Sequence, residues 1–486
     1  MENQYRQQDR SVAFLPFLFL LGLLWLSTST NVRAQIVYQD GGSHSLTLNP
    51  DDDNLQLTVL NGSHVDLFGQ APNLNVEVDS STLTDQREKL DGNFTLRAGA
   101  NYNASAGDID ESFAFTLDDS VVEFGGGTFR ISGVSTVSST SLSSVSYVGS
   151  TIGVTRGSLV YSGQTQLNMS DGVQITDGPF TAKDDVVGRV VDSTLPSLVL
   201  AGRSDFHVTN STVNEANLDD NWRDGFLVGS GESQVEFDNV MFKNANAESG
   251  PHFSNVNASQ MQLRNSELTA SWGVGGAIAI AADDTSTVLV ESTAISITNV
   301  EDSGGRGTTL FSANGAAEIQ VRGGSSELSL VSGSGESMAI AKAGGESHIV
   351  LDGGSYMLSA YGDDNSTHVA RATDDATIEL IAGNFNVTNL KSDGSEDVSM
   401  HLDADERGTI IVHGSNFNYP IGEVTDLTGA IEGMLVDGNA FHWNFVRTSD
   451  ARILLVPEPN GLVIGFLAFP LLYRHLRRSK VHSALR

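Results

Sequence analysis

Seven acidic runs are the residues in this chain best suited to chemistry: Asp51-Asp52-Asp53, Asp118-Asp119, Asp184-Asp185, Asp219-Asp220, Asp283-Asp284, Asp363-Asp364 and Asp374-Asp375. Two carboxylates held a few ångströms apart can hydrolyse a glycoside as acid and base, or bind calcium beside a polysaccharide. Their spacing favours another use. Asp283-Asp284 and Asp374-Asp375 stand just before an apolar stretch, where neighbouring segments carry Asn314-Gly315 and Gly344-Gly345. That is a turn slot, and Asp suits it because its short carboxylate bonds to nearby backbone. The expectation is solvated turns, with no catalytic residue, metal ligand or cofactor; a structural calcium at one of the pairs is the alternative.

Other reactive patterns are missing. There is no cysteine, which removes disulfides, thiolate zinc sites and cysteine nucleophiles together. No His-Glu-x-x-His, Gly-x-Ser-x-Gly or phosphate-binding glycine loop occurs. The 11 histidines lack metal-ligand spacing, and His348 and His368 are expected at surface or corner positions beside strands.

The elements that must carry these residues are short strands. Segments beginning at Val288, Ile319, Ile349, Ile378 and Ile410 align without gaps, and each opens on an apolar alternation, then a corner of Ser, Gly or Asn, then a second strand. Such a unit cannot bury its inward side chains alone, but stacked units can. The expected fold is all-β: a parallel β-solenoid, a right-handed β-helix with coils of about 30 residues, carrying a C-terminal antiparallel cap and a short C-terminal hydrophobic helix. About 14 such coils would make a rod of roughly 60–70 Å. The Ser/Thr-rich stretch 131–158 is expected to be solenoid strand with small inward residues. The cap is expected over 418–456, with strands joined at Asp437-Gly438 and at Thr448-Ser449-Asp450 and with Phe441, Trp443 and Phe445 on one face. Those rings serve as core, the alternative being a sugar-stacking platform. Polygalacturonase-like β-helix enzymes carry Gly-His-Gly and Arg-Ile-Lys, and neither occurs here.

Both ends read as addresses. Residues 1–34 have a positive start at Arg6 and Arg10, an apolar run, and Val32-Arg33-Ala34, so a signal peptidase is expected to cut between Ala34 and Gln35. At the other end, Val456-Pro457-Glu458-Pro459 precedes the apolar run Gly461–Tyr473 and a basic tail with Arg474, Arg477, Arg478 and Lys480. These three parts in this order resemble a PEP-CTERM sorting signal, with Pro470 inside the apolar run as a departure. The resemblance implies an exosortase as processing partner, a Gram-negative exporter, transient inner-membrane anchoring, and association with exopolysaccharide and biofilm. It covers the last 31 residues only. The organisation is therefore 1–34 signal peptide, 35–417 solenoid body, 418–456 cap and 457–486 sorting signal.

Charge narrows the partners. The chain carries 27 basic and 60 acidic side chains, a net of −33. Most basic residues that could meet a membrane lie in the end segments. The body is expected to be repelled by nucleic acid and anionic surfaces, and to touch a membrane only through its ends. The expected function is a structural or adhesive protein of the cell surface or extracellular matrix rather than an enzyme. A carbohydrate-binding β-helix module is the next reading and a polysaccharide lyase or hydrolase the third.

Overall fold

The computed structural model describes residues 35–458, apart from 53–54, 71–73, 88–91, 105–112, 127, 132–133, 155–157, 177, 215–225, 244–249, 273–276, 300–307, 332–336 and 397–398. The described residues are all-β. Their 43 strands form one continuous, parallel-dominated sheet that winds from Gln35 to Pro457, an arrangement consistent with a β-solenoid. The signal segment 1–34, Pro459, the apolar run and the basic tail lie outside the described residues.

Period-2 alternation in these strands sends every second side chain inward. On one face the inward residue of each coil stacks on that of the next. Ile319 pairs with Ile349, Ile349 with Ile378 and Ile378 with Ile410, and all four are fully buried. The same column runs back through Val288, Met261, Val235 and Phe206 to His44, and forward to Ile453. Between those ends it passes Val65, Leu83, Tyr102, Val122, Val145, Leu167 and Gly188. Gly188 is the one gap, and the ring of Phe206 fills it, lying where a Cβ would stand.

The uniform 30-residue coil expected along the body is corrected by these registers. From Val288 to Ile410 the paired positions step by 31, 30, 29 and 32 residues, but from His44 to Phe206 they step by only 18 to 23. The column accordingly has 17 members rather than 14, which at 4.8 Å per coil is roughly 80 Å of rod. The first coils pair on two faces, and a third begins at Thr128–Ile131.

Corners are set by backbone conformation. Asp184, Gly202, Gly231, Asn257, Asp284, Gly315, Gly345 and Asp374 all have φ between 56° and 76°, in successive coils at one corner. Each carbonyl accepts a backbone N–H from the coil above, as Asp375 to Gly345 (2.9 Å) and Arg407 to Asp374 (3.0 Å) show. Only Gly, Asn and Asp visit this region readily. The carboxylates then reach down: Asp284 Oδ2 accepts the Asn257 N–H at 3.1 Å and Asp374 Oδ2 that of Gly345 at 3.0 Å. Asp374 thus occupies the slot of Gly345 and Asp375 the next one, as the alignment of Ile349 with Ile378 requires. Directly after this corner come buried serines, including Ser204, Ser233, Ser259, Ser286 and Ser347.

The Ser/Thr-rich stretch is part of the solenoid. Val134–Val148 is one strand crossing a corner, with Ser135, Val137, Val145 and Tyr147 buried.

At the C-terminal end, Thr428–Leu435 and Ala440–Arg447 form an antiparallel hairpin through Asp437-Gly438. Two of its glycines lie opposite aromatics: Gly429 pairs with Phe445 and Gly433 with Phe441, whose rings cover them. Trp443 and Phe445 are buried core, while Phe441 is partly exposed. The expected three-stranded meander is corrected in one respect. Ala440–Arg447 and Arg452–Pro457 pair in parallel with Leu402–Ala404 and Thr409–Ser415, so Thr448–Asp450 is a solenoid corner and not a second hairpin.

Opposite outcomes are expected for two substitutions within one pair of coils. Ile349→Asp buries an unpaired charge between Ile319 and Ile378 and should cost about 4 kcal/mol or more. Asp374→Gly keeps the left-handed corner and should melt close to the wild type. Equal melting temperatures would contradict this register.

Candidate functional site

The outward side of the face that carries the isoleucine column holds the densest group of charged side chains. Alternation turns Asp205, His207, Glu236, Arg264 and Glu291 outward, and the ladder brings them together from four successive coils. Glu236 lies between His207 Nδ1 (3.2 Å) and Arg264 Nη1 (2.6 Å). Arg264 Nε approaches Glu291 at 3.2 Å, and Asp205 stands 3.6 Å from His207 Nε2. Three carboxylates and an arginine therefore converge on one solvent-facing sheet, the grouping a β-helix enzyme would need. Glu236 and Glu291 both face the Arg264 guanidinium and Asp205 faces the His207 imidazole, and the side chains are 31–55% exposed. Exposed pairs of this kind contribute about 0–1 kcal/mol each.

A second group lies near the C-terminal end of the same face. Glu379 accepts from His348 Nε2 on one oxygen (3.0 Å) and meets His413 Nε2 on the other (3.1 Å). These bonds hold the Glu379 carboxyl down to about 2, and the Glu379 bond raises His348. His348 is thus half-exposed, as expected. His368 corrects the expectation: it is 2% exposed within the strand Ser366–Ala372, because that first-face strand is buried on both sides. Burial lowers His368 to about 4, His401 to about 4 and His252 to about 3.

The third face carries a shallow trough of 220 Å³. Its lining includes the hydroxyls of Thr269, Ser296, Ser325 and Ser355 and the carboxylates of Glu267 and Glu327, while most of its exposed surface is apolar, with Leu268, Ala294, Ile295 and Met357 also lining it. These residues stack coil on coil, Thr269 on Ser296, Ser296 on Glu327 and Glu327 on Met357. The trough offers hydrogen-bonding groups at the repeat of the ladder.

The other residues singled out in the sequence are dispersed. Asp184-Asp185 and Asp283-Asp284 share one corner of the rod but lie four coils apart, Asp118-Asp119 and Asp363-Asp364 stand in other coils, and Asp219-Asp220 and Asp53 lie outside the described residues. Among the described residues no group of three or more His, Asp or Glu is arranged to hold a metal ion. Val456 and Pro457 belong to the last strand, opposite His413 and Gly414, and Glu458 bonds through its N–H to Gly414 and through its carboxylate to Ser415. One buried polar group escaped the sequence reading. Asp85 and Arg87 are paired inside the solenoid at 2.7 Å, and Tyr102 donates its hydroxyl to Asp85. Asp85 at an inward position of the alternation Thr82-Leu83-Thr84-Asp85 was the available signal.

No family model, curated protein or solved structure matches the chain.

The histidines set a pH dependence. A histidine lowered by folding takes up its proton in the unfolded chain first, so its stabilising effect is complete above its ordinary value of 6.5 and is lost as pH falls towards 4. His348, which is raised, acts oppositely and stabilises the fold below 6.5. The buried His252 and His368, with the half-buried His401, outweigh the one raised histidine, so the melting temperature should fall between pH 6.5 and 4. His368→Gln should shrink that fall and His348→Gln should deepen it. An unchanged pH slope in both variants would contradict the assignment.

Proposed function

We propose that this chain is an exported surface or extracellular-matrix rod with a structural or adhesive role, delivered through a cleavable signal at 1–34 and a PEP-CTERM-like signal at 457–486. The supporting observation is the inward column that runs from His44 to Ile453 without a missing coil. A scaffold needs that continuity, while an enzyme needs one concave site. The body is read as a right-handed β-helix with coils near 30 residues in its C-terminal half, and the apolar run near the C-terminus as a short helix that serves as a temporary anchor. Signal peptidase and an exosortase are the processing partners, and exopolysaccharide is the expected companion at the surface of a Gram-negative-type cell. The hydroxyl-lined trough favours glycan contact as a second reading, because its polar groups repeat along the rod as sugars repeat along a linear polymer.

The intact mass of the native protein tests the address. Loss of Met1–Ala34 and of the segment beyond the Pro-Glu-Pro motif is expected, from protein recovered outside the cytoplasm. Full-length protein in the cytosol would refute it. Retention of residues 35–458 on a neutral polysaccharide column, weakened by Glu327→Lys, would favour the glycan reading over a purely structural one.

A further inference from the structure

The two ends of the rod differ. At the C-terminal end an antiparallel hairpin and the segment at Gly422–Glu423 close the last coil. At the other end, among the described residues, the strands Gln35–Tyr38 and Ser43–Leu48 each pair on one side only, with Gln56–Val59 and His64–Gly69. Their carbonyls at Tyr38, Gly42 and Leu48 point towards the second coil, where they accept N–H groups of Leu60, His64 and Gln70 at 2.8–3.1 Å. Backbone groups alternate sides along a parallel strand, so Val37, Ser45 and Thr47 direct theirs away from the molecule. Beneath them Ile36, Tyr38 and Leu46 are only partly buried, although they pack against the core. The result is an open sheet edge over unfinished apolar packing.

Sheet edges exposed in this way are ordinarily protected by charge, proline or a covering element. These two strands contain no Asp, Glu, Lys, Arg or Pro. Three carboxylates flank them at the corners: Asp40, bonded to the Gly42 N–H and His44 Nε2, and Asp51 and Asp52 beyond Leu48, with Asp52 accepting the Asn49 N–H. The strands themselves are uncharged, so in a chain of net charge −33 the repulsion between two copies joined along them comes from their corners and bodies and is screened by salt.

We infer that the N-terminal end of the rod is a dimerisation surface, on which two copies of this chain join head to head about a two-fold axis. The occupant follows from closure. An edge is self-complementary, because its N–H and C=O groups can pair with the same edge turned round. The opposite end is capped, so head-to-tail growth has no second surface to use, and assembly stops at two. Antiparallel pairing across the axis would complete the hydrogen bonds of Val37, Ser45 and Thr47 and cover Ile36, Tyr38 and Leu46.

Residues 35–458 contain the whole buried core, so they can be tested as a unit whether or not the export reading holds. Sedimentation equilibrium should give a dimer for this span. Ser45→Pro removes an N–H that the monomer does not use, and Val37→Lys places a charge on the edge; each should give a monomer with unchanged circular dichroism and melting temperature. Ser45→Ala should remain a dimer. Added salt should strengthen the association, because both bodies are acidic. A monomer at every concentration would overturn the inference and leave the edge to residues 1–34 or to another protein. Dimers that persist in both Ser45→Pro and Val37→Lys, or that dissociate in salt, would overturn it as well.

Discussion

Parallel pairing of each coil with the next is the constraint on which everything else here depends. Once the backbone is tied at a spacing of about 4.8 Å, side chains at paired positions are forced into contact, and a residue is acceptable only if it packs against its own counterpart one coil away. Isoleucine on isoleucine meets that demand from Ile319 to Ile410. Where the column changes size it does so in matched steps, as when Phe206 occupies the space that Gly188 leaves. A slip of one residue would turn the column outward and bring the ion pairs of the opposite side into the core. The charged ladder outside and the apolar ladder inside are two consequences of one register.

The same constraint explains the composition. A corner that repeats in every coil adopts a left-handed conformation in each, which favours Gly, Asn or Asp, with Glu406 taking the slot in the coil after Asp374 at φ 55°. The abundance of acidic pairs is therefore in large part a backbone requirement, and it supplies a high negative charge to the surface as a by-product. Serines beside the corners are small enough to be buried there, and Ser286 and Ser347 give their hydroxyls to the carbonyls of Asn255 and Ala313, which also accept a backbone N–H from the next coil.

How much of this could be read from the sequence depended on the regularity of the steps. Between Val288 and Ile410 the interval hardly varies, and apolar strands and corners align by eye. Before Phe206 the coils are shorter and the column passes through Val, Leu, Tyr and Gly, so no period stands out, although the physical rule is the same. The Asp85–Arg87 pair was hidden because a charge at an inward position looks like an interruption of a strand. His368 was misplaced because its strand is buried on both sides and shows no polar face. The grouping of Asp205, His207, Glu236, Arg264 and Glu291 spans 87 positions of sequence and becomes visible only once the register is known. The reading of the two ends as signals rests on linear sequence and belongs to the proposal, since residues 1–34 and 459–486 lie outside the described residues.

Spin-label distances along one outward column test the central claim most directly. Asn168, Gln262 and Ile411 face outward on the same face, with four register steps between the first two and five between the last two. Pulsed electron resonance on pairwise labels should give about 19 Å for Asn168 to Gln262, about 24 Å for Gln262 to Ile411 and about 43 Å for Asn168 to Ile411 at 4.8 Å per coil. Distances that grow in this additive way, with narrow distributions, are what a continuous in-register ladder requires. An end-to-end distance well short of the sum of the other two would mean that the coils do not form one straight stack, and would contradict the account.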